Sequence, residues 1–419
     1  MIQLRQYLRI AGFIFSIASP AVLFGEIETV ELELLGVLPS NPDLSRAIHV
    51  SDDGRVVVGY GGTEMNPEAF VWVDGQLIGL GSGSRINNVS GNGEWTGGSL
   101  ITGSKNPQAV MWDISDPIGS PPMPIMLESP SLSEPIEEYS SEVTDLSTDG
   151  GILYVRYHRN DGLWNDLFLF ENNTYLALDT GIYMKPTAMS SDGSVVTMLI
   201  ANGLIFSSYK WENGSVSNVL EGEVYTDFLA SGLSGNGSIL AGSTSPDYWQ
   251  EPATPAYTKE GLLVHLSLPN GFNSGSAQSV SDDGSLIVGY GHSSDPEAFM
   301  WRKDKGYVPE NLNAFLDAAG VDRMGSVLTR AYAVSGDGST LVGEVTHGDG
   351  KVEAFRMTIA YPEAWGSFPI QNNTWVNTGD WLGWINVRYD PWIWRDDPGE
   401  WVYIPAQSAS QGTGWIMNP

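Results

Sequence analysis

The feature that most constrains this chain is a four-residue turn that occurs seven times. It has the form Ser-x-(Asp/Asn)-Gly behind an apolar residue: Val50-Ser51-Asp52-Asp53-Gly54, Val89-Ser90-Gly91-Asn92-Gly93, Leu146-Ser147-Thr148-Asp149-Gly150, Met189-Ser190-Ser191-Asp192-Gly193, Leu233-Ser234-Gly235-Asn236-Gly237, Val280-Ser281-Asp282-Asp283-Gly284 and Val334-Ser335-Gly336-Asp337-Gly338. Successive turn glycines lie 39, 57, 43, 44, 47 and 54 residues apart. That period brackets the length of a blade of four short strands, so the chain reads as a set of blades rather than as one layered core.

The turn residues have a chemical reason. Asp-Gly and Asn-Gly supply the positive φ angles of a type I′ hairpin, and the serine hydroxyl can bond a nearby amide. Each turn should therefore join two antiparallel strands. The strand that follows is β-branched and apolar, as in Val56-Val57-Val58-Gly59-Tyr60 and Leu286-Ile287-Val288-Gly289-Tyr290. In five copies a glycine falls five residues after the turn glycine, at Gly59, Gly98, Gly242, Gly289 and Gly343, whereas Val155 and Met198 take its place in copies three and four. A glycine inside a strand implies a bend or the close approach of another backbone, and a crowded ring centre would require one.

A second marker follows each turn, an aromatic or apolar residue usually with tryptophan two positions on: Phe70/Trp72, Val110/Trp112, Phe168/Phe170, Tyr209/Trp211, Tyr257, Phe299/Trp301 and Phe355/Met357. Period-two spacing puts both rings on one strand face, available to the neighbouring blade. Further turns at Asp74-Gly75, Asn213-Gly214, Glu260-Gly261 and Lys305-Gly306 lead into a last apolar strand. The seventh copy lacks that strand, while Leu32-Glu33-Leu34-Leu35-Gly36 precedes the first. The amino-terminal strand is thus expected to complete the last blade and close the ring, removing its free edges. The reading is an all-β, seven-bladed β-propeller over residues 26–362. Six or eight blades are the alternatives, because a proline-rich acidic insertion separates the second and third turns.

The alternation of Ala47-Ile48-His49-Val50-Ser51-Asp52-Asp53-Gly54-Arg55-Val56-Val57-Val58-Gly59-Tyr60 with Glu68-Ala69-Phe70-Val71-Trp72 and Leu77-Ile78-Gly79-Leu80-Gly81 resembles the bacterial extracellular HAF repeat. The resemblance covers about residues 32 to 358 and includes a short helix at Leu312-Asn313-Ala314-Phe315-Leu316, capped by Asn311 or Asn313. It implies secretion and a propeller-like fold, and it carries over no catalytic residues.

Composition narrows the function. Fifty Asp plus Glu against 20 Lys plus Arg give a net charge of -30, a field that repels nucleic acid and anionic lipid. Cysteine is absent, which removes disulfides, thiolate metal sites and a cysteine nucleophile. Arg5 and Arg9 before the apolar stretch Ile10 to Leu23 read as a signal peptide over residues 1–25, hence a secreted or cell-surface protein with no membrane span after cleavage. Residues 363–419 form a different object, a small tryptophan-rich β module. Trp381, Trp384, Trp392, Trp394 and Trp401 are its candidate ligand-binding rings, with a core and docking role as the plainer alternative.

No constellation specifies an enzyme. The histidines His49, His158, His265, His292 and His347 have no metal-ligand spacing, and Gly81-Ser82-Gly83-Ser84 is not a nucleophile elbow. The repeated Asp and Asn read as turn residues rather than calcium ligands, so neither metal nor cofactor is expected. The turn resembles the aspartate box of sialidases, itself structural, but no arginine set can be assigned to carboxylate recognition from sequence. The expectation is a monomeric, non-enzymatic scaffold that binds extracellular polysaccharide or envelope components through its loops or tail. The alternative is a polysaccharide-active, glycosidase-like enzyme using paired carboxylates, which a central acid cluster would favour.

Overall fold

A computed structural model describes the chain from residue 29 to residue 403, apart from residues 41, 64–65, 104–105, 131–138, 160–164, 179–183, 203–204, 221–227, 245–252, 361–363, 366–367, 372–374, 379–383, 390–391 and 396–399. The signal-peptide segment 1–25 lies outside the described residues, as does Trp381. The chain divides into a compact unit Ile27–Tyr361 and a second unit containing Pro362–Pro419.

The first unit is a seven-bladed β-propeller of four-stranded antiparallel sheets. Blade 1 runs Ser45–Val50, Val57–Thr63, Asn66–Val73, Gln76–Ser82, and blades 2 to 6 follow in chain order with innermost strands Ser84–Val89, Tyr139–Leu146, Met184–Met189, Phe228–Leu233 and Ser274–Val280. Blade 7 takes three strands from the end of the repeat, Val327–Val334, Thr340–Thr346 and Val352–Ala360, and its outermost from the start, Thr29–Leu34. Thr29 pairs with Ala360 and Leu34 with Phe355, so the ring is closed by the amino-terminal strand, as the missing last strand requires.

Blade contacts follow the aromatic marker. Phe70 and Trp72 on the third strand of blade 1 pack with Ala333, Val342 and Ala354 of blade 7. The opposite face, with Val58 and Val71, packs on Val110 and Trp112 of blade 2. Fully burying an aromatic or branched side chain contributes about 1.5–3 kcal/mol; the interface of blades 4 and 5 departs from the pattern, since Tyr257 packs on blade 6 and Phe228 fills the space instead. The helix Leu312–Ala318 enters blade 6–7 with Asn311 as its cap, whose side chain accepts from the Ala314 amide at 3.1 Å. Asn313 instead brackets Leu328, donating to its carbonyl at 3.0 Å and accepting from its amide at 2.8 Å.

In one respect the turns differ from expectation. All seven turn glycines have φ between 69° and 74°, but the Asp or Asn before each keeps a negative φ. The turn is therefore not type I′. The reason is a local network present in every copy: in the first, Asp53 Oδ1 accepts from Ser51 Oγ at 2.7 Å and from the Arg55 amide at 3.0 Å, while Ser51 Oγ accepts from the Val56 amide at 3.0 Å. That pattern holds the carboxylate against the turn and leaves only glycine in the left-handed region. Type I′ geometry appears in the outer hairpins instead, where Asp74-Gly75, Asn213-Gly214 and Glu260-Gly261 have both residues at positive φ.

The second unit is a six-stranded antiparallel sheet in chain order, from Ala364–Trp365 to Glu400–Tyr403. Trp384 opens Trp384–Tyr389, Trp392 and Trp394 lie in Trp392–Arg395, and Trp401 lies in Glu400–Tyr403. Their side chains lie outside the described residues.

Candidate functional site

The seven innermost strands surround an axial cavity of about 320 Å³, lined by the last residues of each strand and the turn beyond. Its shape comes from one repeated irregularity. Each innermost strand carries a β-bulge, at Ile48, Asn87, Thr144, Thr187, Ser231, Gln278 and Tyr332, and each bulge residue lines the cavity. A bulge re-aims a side chain that regular pleating would turn away.

The bulge brings the adjacent backbone against the strand glycine. A Cβ on Gly59 would stand 2.0 Å from the Arg46 carbonyl oxygen; on Gly343, 1.9 Å from that of Arg330. The crowding is therefore the approach of the adjacent backbone, not of a ring centre. The same register shift faces Val155 and Met198. The bulge alone does not demand glycine, and nothing in the structure explains how those two copies accommodate a side chain.

At the turn end of the axis backbone hydrogen bonds link six of the seven neighbouring turn pairs, with none between the fifth and sixth turns among the described residues. The Asp52 amide donates to Gly91 O at 2.9 Å, Asn92 to Thr148 O at 2.8 Å, Thr148 to Ser191 O at 2.7 Å, Ser191 to Gly235 O at 3.0 Å, Asp282 to Gly336 O at 3.0 Å and Asp337 to Asp52 O at 3.0 Å. The residue between the turn serine and its Asp/Asn thus faces the axis. In five copies it is Gly, Ser or Thr, and in copies one and six it is Asp.

Those two aspartates converge. A Cβ placed on Gly336 would lie 2.8 Å from both Asp52 Oδ1 and Asp282 Oδ2, so the two oxygens are no farther apart than twice that distance. Asp52 accepts one bond from Thr148 Oγ1 at 3.4 Å, and Asp282 one from Ser191 Oγ at 3.3 Å. Desolvation first, then the Asp282 charge, pushes Asp52 up to about 6, and desolvation likewise raises Asp282.

Higher on the wall, Asp145 is buried and pushed up to about 7 by desolvation, against the hydrogen bonds that favour its charge. These come from the Leu146 amide at 2.8 Å, the Met189 amide at 2.7 Å and Asn88 Nδ2. Asp145 so ties blade 3 to blades 2 and 4. His49 borders the same cavity, and desolvation pushes it down to about 4, which keeps the imidazole neutral at pH 7.

The opposite end, where the innermost strands begin, is basic and aromatic. Buried Glu344 accepts from Arg46 Nε and, at 2.6 Å, from Arg330 Nη1. Arg46 lies 5.9 Å from the Tyr60 ring centroid and Arg330 5.2 Å from that of Tyr290. Arg46 also donates to Tyr60 Oη at 3.3 Å. Tyr332 is raised mainly by desolvation and then by Glu344, with Arg330 and Arg46 opposing. The guanidinium side chains are 30% and 28% exposed, enough to meet a ligand while held in place.

Sequence reasoning missed both ends. A usable signal was present: five residues before each turn serine stand Arg46, Arg85, Glu142, Lys185, Leu229, Ser276 and Arg330, so four of only 20 basic residues share one repeat column.

No known protein family and no curated protein matches the sequence. Solved structures match the fold. The chain is similar to an oligogalacturonate lyase in complex with manganese (TM-score 0.52, 11% identity, 80% of this chain and 98% of that one). It is also similar to the β-propeller domain of the Trilobed protease from Pyrococcus furiosus (0.51, 9%, 77% and 99%), described as an open velcro topology, unlike the closed ring here. The match to TolB from Acinetobacter baumannii is looser (0.42, 14%), spanning 62% of this chain and 64% of TolB. At these identities the likeness shows the fold alone.

Proposed function

We propose that the protein is an exported binding scaffold of the HAF-repeat type that captures acidic polysaccharide at the arginine-tyrosine mouth of its propeller, without turnover. The observation that carries this reading is Glu344 holding two guanidinium groups beside Tyr60, Tyr290 and Tyr332. Guanidinium forks recognise carboxylates, and tyrosine faces suit sugar rings while their hydroxyls bond them. Since Glu344 neutralises one arginine, the cluster keeps a local positive charge within an acidic protein. Export is supported by the Arg5/Arg9 and Ile10–Leu23 pattern.

The test is retention of the full mature chain on acidic against neutral polysaccharide gels. Preference for the acidic polymer, lost about tenfold in R46A and R330A, is the expected result. Equal retention on both polymers overturns it.

One observation favours a second reading. The Asp52–Asp282 separation is compatible with the roughly 5–5.5 Å of retaining glycosidases. Release of reducing sugar by the wild type, abolished in D52N and D282N, would replace binding with hydrolysis.

A further inference from the structure

The two arginines of the mouth are not equivalent. Arg46 gives its Nε to Glu344 and its Nη1 to Tyr60 Oη at 3.3 Å, which leaves only Nη2. Arg330 gives Nη1 to Glu344 at 2.6 Å, while its Nε and Nη2 make no hydrogen bond to a described residue. Those two nitrogens share one edge of the guanidinium, and their N–H groups point the same way, as a fork that two coplanar oxygens can fill.

The same edge takes carboxylates elsewhere in this chain. Arg302 donates from Nε and Nη2 to the two oxygens of Glu310 at 2.7 and 3.0 Å, and Arg323 to those of Asp317 at 2.8 and 2.9 Å. Those forks are filled from within the protein. At Arg330 the corresponding donors are open, and the side chain is 28% exposed. Its placement does not depend on them: Glu344 is buried with an oxygen on each arginine, and the Tyr290 ring centroid lies 5.2 Å from the Arg330 guanidinium. A fork held in this way loses little freedom when an anion docks on it.

The surroundings favour an anion. The strand column of Arg46, Arg85, Lys185 and Arg330, taken with the residues paired to it on the second strands, contains five basic side chains and only two acids, Glu142 and Glu344. This is a locally positive face on a chain of net charge -30. The fifth base, Arg156, has Nη2 on Glu142 at 2.6 Å and an Nε sealed from solvent, so its fork is closed to a ligand.

We propose, resting on the polysaccharide mouth argued above, that the group read there is a carboxylate. A uronate of the polymer docks its two oxygens on Nε and Nη2 of Arg330, and Arg46 is a positioning residue that shares the charge of Glu344 and so leaves Arg330 its own. A carboxylate divides its whole charge between two coplanar oxygens, which match the two N–H groups of the fork. A sulfate ester spreads the same charge over three weaker acceptors, and an esterified uronate has none.

The test is affinity electrophoresis of the full mature chain at pH 7 in alginate, methyl-esterified alginate and dextran sulfate. Alginate is expected to bind about tenfold more tightly than either of the others. R330K keeps the charge but removes the fork, and should lose about tenfold on alginate while changing little on dextran sulfate. At position 46 lysine should restore most of what R46A loses, because a cation beside Glu344 suffices there; at position 330 lysine should not restore what R330A loses. In the unaltered protein the Arg330 Nε–H resonance should move on titration with an alginate trisaccharide, a readout that does not depend on any variant folding. Alginate and dextran sulfate bound alike, or lysine at 330 as effective as arginine, overturns the fork and leaves the mouth an unselective anion site. Binding of neither polyanion overturns the mouth itself, and this inference with it.

Discussion

The two ends of the propeller axis are built by the same seven strands, yet they handle carboxylates in opposite ways. At the strand-entry end one buried carboxylate, Glu344, is shared by two arginines. At the turn end two carboxylates, Asp52 and Asp282, approach each other with no lysine or arginine among the described residues lining the cavity. The same chemical group is thus satisfied in one place and frustrated in the other. Frustration of that kind marks positions kept for a ligand or a proton rather than for stability.

This difference is open to a direct comparison of amide substitutions. E344Q removes the charge that both guanidinium groups share and leaves them half-buried, which should cost about 3 kcal/mol in denaturant unfolding at pH 7. It also loosens the junction between blades 7 and 1, because Arg46 belongs to blade 1 and Glu344 to blade 7. An E344Q variant as stable as the wild type would mean that the arginine cluster is solvated rather than organised, and the contrast between the ends would vanish.

A somewhat smaller loss is expected one residue earlier. Gly343→Ala sets a Cβ against the Arg330 carbonyl and the Phe355 ring, and relieving that contact should cost about 2 kcal/mol while displacing Arg330. Unfolding together with polysaccharide retention checks it. Loss of both would connect the strand glycine to the mouth, whereas loss of stability alone would separate them.

How much of this was legible follows from the range of each interaction. The seven turns, the amino-terminal closing strand and a helix capped by Asn311 or Asn313 rest on chemistry within a few residues or on counting strands, and sequence carried them; the structure selects Asn311 as the cap. The type of the inner turn was misjudged because Asp-Gly alone does not fix φ at the aspartate; the serine two residues before decides it. Neither end of the axis could be read directly, since Arg46 and Glu344 are 298 residues apart and Asp52 meets Asp282 only after closure. What repetition builds is the scaffold, and the candidate sites occupy the columns where the copies differ.

At the turn end the sign reverses. Asp282→Asn removes one of two repelling charges, so stability at pH 7.5 should rise by about 0.5–1 kcal/mol, the partial exposure of both groups having been discounted. The pH profile sharpens this. Asp52 binds its proton more tightly folded, at about 6, than its ordinary 3.8, so its contribution to stability falls as pH rises from about 4 to about 6 and is level above. Asp145 extends the fall to about 7. D52N should flatten the part of the slope below 6 and leave the remainder. An unchanged slope would show that Asp52 does not bind its proton more tightly in the folded protein.

The smallest effect belongs to the turn aspartates, and it has the opposite pH sign. Asp149 accepts from Ser147 Oγ and the Gly151 amide, both at 2.8 Å, and these bonds hold its carboxyl below the usual range. Its stabilisation is therefore present above pH 3.8 and lost as pH falls through the lower folded value. Asn92 and Asn236 make the same bonds in copies two and five, so an amide satisfies the geometry and only the charge assistance is at stake. D149N should cost about 0.3 kcal/mol at pH 7 for so exposed a group, and progressively less as pH falls through the lower folded value. A larger loss would mean that the turn depends on charge rather than shape. Because Asp149 adds stability with rising pH while Asp52, two blades away at the same end of the propeller, subtracts it, the two variants measured across one pH series separate the repeated scaffold from the site it carries.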